Sequence, residues 1–456
     1  MTYPPNGALT VNNRQLAQRD LKHLWHPCTQ MKDHECLPLI PIKSGTGVWL
    51  RDYDGNRYLD AISSWWVNLF GHSNAHINQR INEQLQQLEH CIFAGYTHQP
   101  AVELAESLVA ITPPGLDRVF LADNGSSAVE VALKMSFHYW LNQGHGRKHR
   151  FINLSNSYHG ETLGALAVGD VPLYKDTYAP LLMQPLTAPS PDCFGLPDKA
   201  ACEANVKEKL RAMQTLLETH HEEVCAVIVE PLVQCAGGMR MYPPSYLSGL
   251  RDLCDHYRVH LIADEIAVGF GRTGTFFACE QAAVSPDFMC LSKGLTGGYL
   301  ALSAVLTSEA VYQAFYDDYT RLTAFLHSHS YTGNPLACTA ALATLELFEL
   351  NDTLANNQRL AGHLNAALEK YRDHPNVAEI RQTGLIAAVE LQDDRGHPFD
   401  WKERRGLRVY RHGLKNRLLI RPLGDVVYFM PPYVITPDEI DFMVDTAFEG
   451  INEAVQ

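Results

Sequence analysis

No stretch of the chain approaches the roughly 18 consecutive apolar residues of a membrane span. The longest apolar runs, such as 226–229, have the length of a strand. The start, MTYPPNGALTVNNRQ, carries no basic segment followed by an apolar one, so no signal peptide is expected. Positive charge is scarce: 37 Lys and Arg face 51 Asp and Glu, a net charge of −14. Nucleic-acid binders carry the opposite imbalance, so that class is set aside. None of the eleven cysteines, scattered from Cys28 to Cys338, forms a C-x-x-C pair. They read as reduced thiols of a cytosolic protein, mostly filling the core. No internal repeat or low-complexity tract is visible. With 46% hydrophobic and 19% charged residues, disorder is also excluded.

What is present reads as an α/β chain. The first twenty residues are polar and expected to be loose at the start. Residues 47–62, GVWLRDYDGNRYLDAI, alternate around Asp54-Gly55 as a hairpin does. Apolar residues then recur at helical spacing at Ile77, Ile81, Leu85 and Leu88, and again at Val102, Leu104 and Leu108. From about Arg118 to Ser308 short Val/Ile-rich runs alternate with helix-like segments, the mark of a mostly parallel sheet covered by helices. The stretch from RFINLS to CAVIVEP reads as loop, with a surface excursion at 188–197. PLACTAALATLELFEL after Asn334 reads as a long linking helix. We expect a large domain over 63–350. A smaller α+β domain would be built from both ends, 1–62 and 351–456.

One glycine motif misleads. Gly269-Phe-Gly271-Arg-Thr-Gly274 matches G-x-G-x-x-G after a strand. Dinucleotide binding needs a helix opening in that turn and an acid ending the next strand. GTFFACEQ is a poor helix, and Asp287 precedes the next strand, so a nicotinamide dehydrogenase is rejected.

Four other features are ambiguous singly. Asp264 ends the apolar run HLIADEI, and a carboxylate there needs a partner, yet a turn cap would serve equally. Lys293, in FMCLSKGLTGG, sits where a lysine loses water and its pKa can fall, yet it also reads as a loop lysine. Asp123-Asn124-Gly125-Ser126-Ser127 places free N–H groups and hydroxyls at a helix start, which suits a phosphate or a plain N-cap. Tyr158, in Ser157-Tyr158-His159-Gly160, could stack on a planar ligand or fill the core. All four follow one another at strand C-termini, where open sheets bind ligands. Jointly they describe a ligand that is aromatic, cationic at a ring nitrogen, phosphorylated and aldehyde-bearing: pyridoxal 5'-phosphate.

At these residues the chain resembles the fold-type I, class III aminotransferases, over nearly its whole length. The likeness is carried by LWHPCTQM, ISSWWVNLFGH, FLADNGSSAVEVALKM, NSYHGETLGALAVGD, VIVEPLVQCAGGMRMY, LIADEIAVGFGRTG, LSKGLTGG, HSHSYTGNPLAC and IRPLG–VVYFMPPY. Trp65-Trp66 and the RPLG…YFMPPY ending are similar to the members that aminate 8-amino-7-oxononanoate with S-adenosyl-L-methionine in biotin biosynthesis. The resemblance implies that Lys293 bonds the cofactor aldehyde and that Asp264 binds the ring nitrogen. It implies that Gly125 and Ser126 hold the phosphate and that Tyr158 stacks on the ring. Trp65 and Trp66 would line the substrate slot, the Ser328 backbone would touch substrate, and Arg421 would grip the keto acid's carboxylate. His329 and Ser330 would reach the phosphate of a neighbouring subunit, which implies a homodimer. Two segments depart from the family pattern. The usual tyrosine of W-H-P-Y is Cys28 here, and H-G-P-T reads His327-Ser328-His329-Ser330. Cys28 supplies neither ring nor phenol, which leaves lysine open as amino donor beside S-adenosyl-L-methionine. An ω-amino-acid or diamine transaminase shares the Asp–Lys core but not the double tryptophan. A regulator that holds the cofactor without turnover would need a basic DNA-binding segment, which is not seen.

Overall fold

A computed structural model describes residues 11–456 of the chain. The expected loose start therefore lies, for residues 1–10, outside the described residues. Beyond them Asn13–His23 is a helix capped by Asn12. It buries none of its residues, which is why no apolar stripe announced it. Polar docking holds it instead, with Asn13 donating to the Asp52 carboxylate at 2.8 Å.

The chain centres on a seven-stranded sheet. Its order is Arg118–Ala122, Ser303–Thr307, Phe288–Leu291, His260–Asp264, Val224–Val229, Arg150–Leu154 and Leu186–Ala188. Every pairing is parallel except the two made by Ser303–Thr307. Val224–Val229 and His260–Asp264 are buried at every position, which is why their sequences run apolar rather than alternating. The C-termini of the parallel strands share one edge, so Asp123, Ser155, Glu230, Asp264 and Ser292 all emerge there.

The expected hairpin forms, with Trp49–Asp52 antiparallel to Arg57–Asp60. Its outer strand then pairs in parallel with Leu418–Leu419, joining the two ends of the chain in one sheet. A second small sheet joins Val377–Thr383, Ile386–Leu391 and Val426–Phe429. Pro335–Leu350 is the expected long helix and is mostly buried. The segment read as loop before CAVIVEP instead holds a 22-residue helix, Lys199–His220. Only Val206, Met213 and Leu217 of it are buried, too sparse a stripe to reveal its period.

The cysteine reading is also corrected. Cys193 and Cys202 form a disulfide, with their Cα atoms 5.3 Å apart, while the other nine are free. The spacing of nine matches no pairing motif; tertiary folding of the 188–198 segment against the following helix brings the two together. Of the free cysteines, Cys225, Cys235, Cys254, Cys279, Cys290 and Cys338 are buried, as core filler should be.

The glycine motif opens no long helix; only the 3-10 turn Ala278–Ala282 follows it. Its arginine is a bolt. Arg272 is almost fully buried and donates to the carbonyls of Pro431, Asn68 and Trp66. Its guanidinium also lies 4.9 Å from the Tyr433 ring centroid. Among the described residues no helix is long and apolar enough to cross a membrane.

Candidate active site

A cavity of ≈ 200 Å³ opens at the strand C-termini, and Lys293, Asp264, Tyr158, Gly125, Ser126 and Trp66 all line it. Sequence reasoning placed these six in one site, and the fold brings them together.

Lys293 follows the buried strand Phe288–Leu291 and takes a left-handed backbone, φ +45°. A non-glycine residue in that region is held there by its surroundings, a recurrent feature of functional sites. Its Nζ stands 4.4 Å from the centroid of the Trp66 ring. Burial pushes its pKa down, while Cys235, Asp264 and Glu230 pull it up; the desolvation wins. The result is an amine closer to its nucleophilic, neutral form than a surface lysine.

Trp66 is set by an unusual turn. Ser63, Ser64, Trp65 and Trp66 all have positive φ, between 47° and 74°. Asp60, buried, secures it by accepting from the Ser64 N–H at 2.9 Å and the Ser64 hydroxyl at 2.6 Å. The Ser63 hydroxyl donates to the Met430 carbonyl, and Trp66 Nε1 donates to the Tyr428 hydroxyl at 3.0 Å. The paired serines and tryptophans thus build a strained turn that aims one indole at Lys293 and leaves the other, Trp65, exposed.

Asp264 is buried, and both its oxygens are engaged. His159 Nδ1 donates to Oδ2 at 2.8 Å, and the Ile266 N–H donates to Oδ1 at 3.1 Å. His159 is itself buried, and its Nε2 has no partner. Because a carboxylate only accepts, the proton of a neutral His159 sits on Nδ1. His159 belonged to the Ser157–Gly160 motif, but no role was read for it.

Sequence reasoning also passed over Glu230. It ends CAVIVEP as Asp264 ends HLIADEI, so the same signal, a carboxylate closing an apolar run, was available. Glu230 lines the cavity and accepts from the N–H groups of Tyr158 and Cys235, both at 2.9 Å. Burial pushes its pKa up to about 7, against the pull of His159 and the two amides. It thereby ties the Tyr158 loop to the turn after its own strand.

The anion-accepting corner is the start of helix Gly125–Asn142. Asn124 caps it by accepting from the Ser127 N–H, which leaves the N–H groups of Gly125 and Ser126 available to an anion. Space is tight around them. A Cβ on Gly125 would meet Ile266 at 3.0 Å, and one on Gly160, φ +123°, would run into the Ser126 hydroxyl. Anion-binding amides, a cavity lined by Trp66 and Tyr158, a buried carboxylate and an amine of depressed pKa together suit a phosphorylated, aldehyde-bearing pyridinium ring.

At the mouth, Tyr158 donates its hydroxyl to Glu161 at 3.0 Å, and the Cys28 thiol donates to the same oxygen at 3.4 Å. Burial raises the Tyr158 phenol well above its ordinary pKa and also raises the Cys28 thiol. Arg421 donates to the Cys28 carbonyl at 3.3 Å and lies 4.5 Å from the Trp65 ring centroid. Trp65, Arg421 and Cys28 therefore form a cluster beside the cavity rather than in its lining. Ser328, His329 and Ser330 are not in that lining. The Ser330 carbonyl accepts from His90 at 2.8 Å, and the His329 Nε2 is buried without a partner.

An arrangement of this kind is that of the class III aminotransferases, and the chain belongs to that family: the family model, Aminotransferase class-III, matches residues 30–452. Among curated relatives, the chain is 48% identical to the adenosylmethionine-8-amino-7-oxononanoate aminotransferase of Helicobacter pylori, across 96% of this chain and 98% of that one. It is 44% identical to the protein of the same name from Geobacter sulfurreducens, across 97% and 98%. Among solved structures it is similar to the adenosylmethionine-8-amino-7-oxononanoate aminotransferase of Methanocaldococcus jannaschii, with TM-score 0.92 and 37% identity over 97% of this chain and 99% of that one. An (S)-enantioselective omega-transaminase from Thermomicrobium roseum also reaches TM-score 0.92, at 27% identity over 98% and 99%. The backbone is thus common to transaminases of different substrates, and side chains must carry the choice between them.

Proposed function

We propose that the chain transfers the amino group of S-adenosyl-L-methionine to 8-amino-7-oxononanoate, giving 7,8-diaminononanoate in biotin biosynthesis, with pyridoxal 5'-phosphate as cofactor. The observation that carries the chemistry is Lys293 and Asp264 lining one cavity with the Gly125–Ser126 helix start. Support for the substrates comes from the names of the full-length relatives and from the tryptophan pair.

The cofactor, when bound, supplies an aldehyde that stores the amino group between half-reactions and a ring that absorbs electrons. The chain supplies the rest. Gly125 and Ser126 hold the phosphate, and Asp264, oriented by His159, holds the proton on the ring nitrogen. Lys293 would take the proton from the carbon bearing the donor's amino group and hold it on its Nζ for return. Trp66 and Tyr158 wall the slot and limit water. Arg421 takes the keto acid's carboxylate at the mouth, with Trp65 and the Cys28 segment beside it. His329 and Ser330, outside the lining of their own cavity, would reach the phosphate of a second copy, and the Ser328 backbone would touch substrate; the working unit would then be a homodimer, placed in the cytosol. The division into a large domain at 63–350 and a smaller one from 1–62 and 351–456 belongs to the same proposal. Lysine is the competing donor, because Cys28 provides no ring for an adenosyl group.

The test is a half-reaction followed by absorbance. The yellow holoprotein is mixed with S-adenosyl-L-methionine alone, and separately with lysine alone; then 8-amino-7-oxononanoate is added. Bleaching by S-adenosyl-L-methionine with recovery on the keto acid is the expected result. Bleaching by lysine alone reassigns the donor, and no recovery with the keto acid overturns the acceptor.

Arg421 gives a sharper prediction. A charge-assisted hydrogen bond contributes about 1.5–3 kcal/mol, so Arg421→Glu raises KM for the keto acid by at least about tenfold. KM for the donor moves far less. Equal increases for both, in steady-state kinetics, would assign Arg421 a general structural role.

A further inference from the structure

The 188–198 segment carries a device that the transaminase chemistry does not use. Cys193 sits in it, and Cys202 lies in the first turn of the 22-residue helix Lys199–His220. Both residues are partly exposed, so small oxidants and reductants can reach them. Asp198 caps the start of that helix, its carboxylate accepting from the Ala201 N–H at 2.8 Å, one residue before Cys202. Cys193 is anchored opposite it, donating its N–H to the Met241 carbonyl at 3.0 Å. The next residue, Phe194, lies under the Arg240 guanidinium, 3.7 Å from ring centroid to Cζ, with Arg381 5.6 Å away. Both arginines pair with Glu390, at 3.0 and 2.8 Å, and Arg381 Nε donates to the Met239 carbonyl at 2.7 Å. This seam joins the turn after Val224–Val229 to the sheet of Val377–Thr383 and Ile386–Leu391.

We propose that Cys193 and Cys202 are a reversible thiol–disulfide modification site, taking a low-molecular-weight disulfide as oxidant, that clamps Phe194 onto the Arg240–Arg381 seam. The Cys202 thiolate attacks one sulfur of the small disulfide, forming a mixed disulfide and expelling a thiolate. The Cys193 thiolate then attacks the Cys202 sulfur and expels the second. In sum the two protein thiols give up two protons and two electrons, and the small disulfide becomes two thiols. The closed ring removes freedom from the segment that carries Phe194.

Two measurements on the holoenzyme test this. Free thiols are alkylated after equilibration with oxidised or reduced glutathione, and the protein is digested with trypsin without reductant. Cleavage after Lys199 puts the two cysteines on different peptides, 176–199 and 200–207. In the oxidised sample these are expected as one linked species, in the reduced sample as two alkylated ones. Both cysteines alkylated in both samples would overturn the site. The clamp is read by chymotrypsin cutting after Phe194, expected about tenfold faster in the reduced protein, because cutting follows local opening. Cys193→Ser and Cys202→Ser should each cut at the reduced rate whatever the oxidant. A rate that does not respond to oxidation in the unsubstituted protein would overturn the clamp.

Discussion

Replacing Lys293 by alanine abolishes turnover by about 10⁴-fold or more, the upper range for loss of a positioned general base, with its covalent role removed as well. The expectation rests on where the fold puts the amine. It follows a fully buried strand, its backbone is held at positive φ, and its Nζ faces the Trp66 ring. Burial lowers its pKa. No other lysine lines the cavity, so nothing there can take its place. The Lys293→Ala variant still binds cofactor through the Gly125 helix start and Asp264, but gel filtration strips the cofactor from it faster than from the parent. Lys293→Arg keeps the charge and loses the nucleophile, because a guanidinium does not deprotonate near neutral pH. It too is inactive. A small primary amine added to the alanine variant supplies a mobile base and restores a measurable part of the rate. Turnover of either variant near the parent rate, in a coupled assay, would remove Lys293 from the chemistry.

The contrast between Lys293 and its supports shows which parts of the site were legible beforehand. Lys293 and Asp264 stood out because a charged residue closing an apolar run is expensive unless it has work or a partner. The helix start at Gly125 was legible from glycine and serine following a strand. The strands of the large sheet were legible from their short Val/Ile-rich runs; only the short edge strand Leu186–Ala188 escaped notice. What was not legible depends on long-range contacts. Trp65-Trp66 could be named as a pair, but the left-handed turn that separates their roles depends on Asp60 and on the Met430 carbonyl, 367 residues from Ser63. Arg272, inside a misleading glycine motif, acts on carbonyls 159 and 204 residues away. Helix Lys199–His220 hid because its buried stripe is three residues, and the Cys193–Cys202 pair hid because only the folded segment sets their distance. Glu230 is a different case. Its signal equals that of Asp264: a carboxylate closing an apolar strand.

Asp264→Asn separates holding the cofactor from using it. The carboxylate has two acceptor oxygens, one taken by His159 Nδ1–H and one by the Ile266 N–H. An asparagine has one acceptor and one NH₂ donor, so it can satisfy only one of these two N–H groups. If its oxygen stays on the Ile266 amide, its NH₂ faces His159, which must move its proton to Nε2. That atom is buried and has no partner, so the tautomer change leaves a buried N–H unsatisfied at a cost of about 1–3 kcal/mol. If the oxygen turns to His159 instead, the Ile266 amide loses its acceptor. Either way the neutral side chain also ceases to stabilise a protonated ring nitrogen. A charge-assisted hydrogen bond contributes about 1.5–3 kcal/mol, so kcat falls by about 10- to 150-fold from that loss alone. The variant nevertheless keeps Lys293 and the Gly125–Ser126 helix start, so it takes up cofactor and turns yellow. Rapid mixing with the donor should then show slow bleaching, whereas Lys293→Ala shows none. His159→Asn, which keeps a donor near the Nδ1 position, should fall between the parent and Asp264→Asn. If Asp264→Asn bleached at the parent rate, the buried carboxylate would be a turn cap and no more, the alternative that its sequence alone allowed.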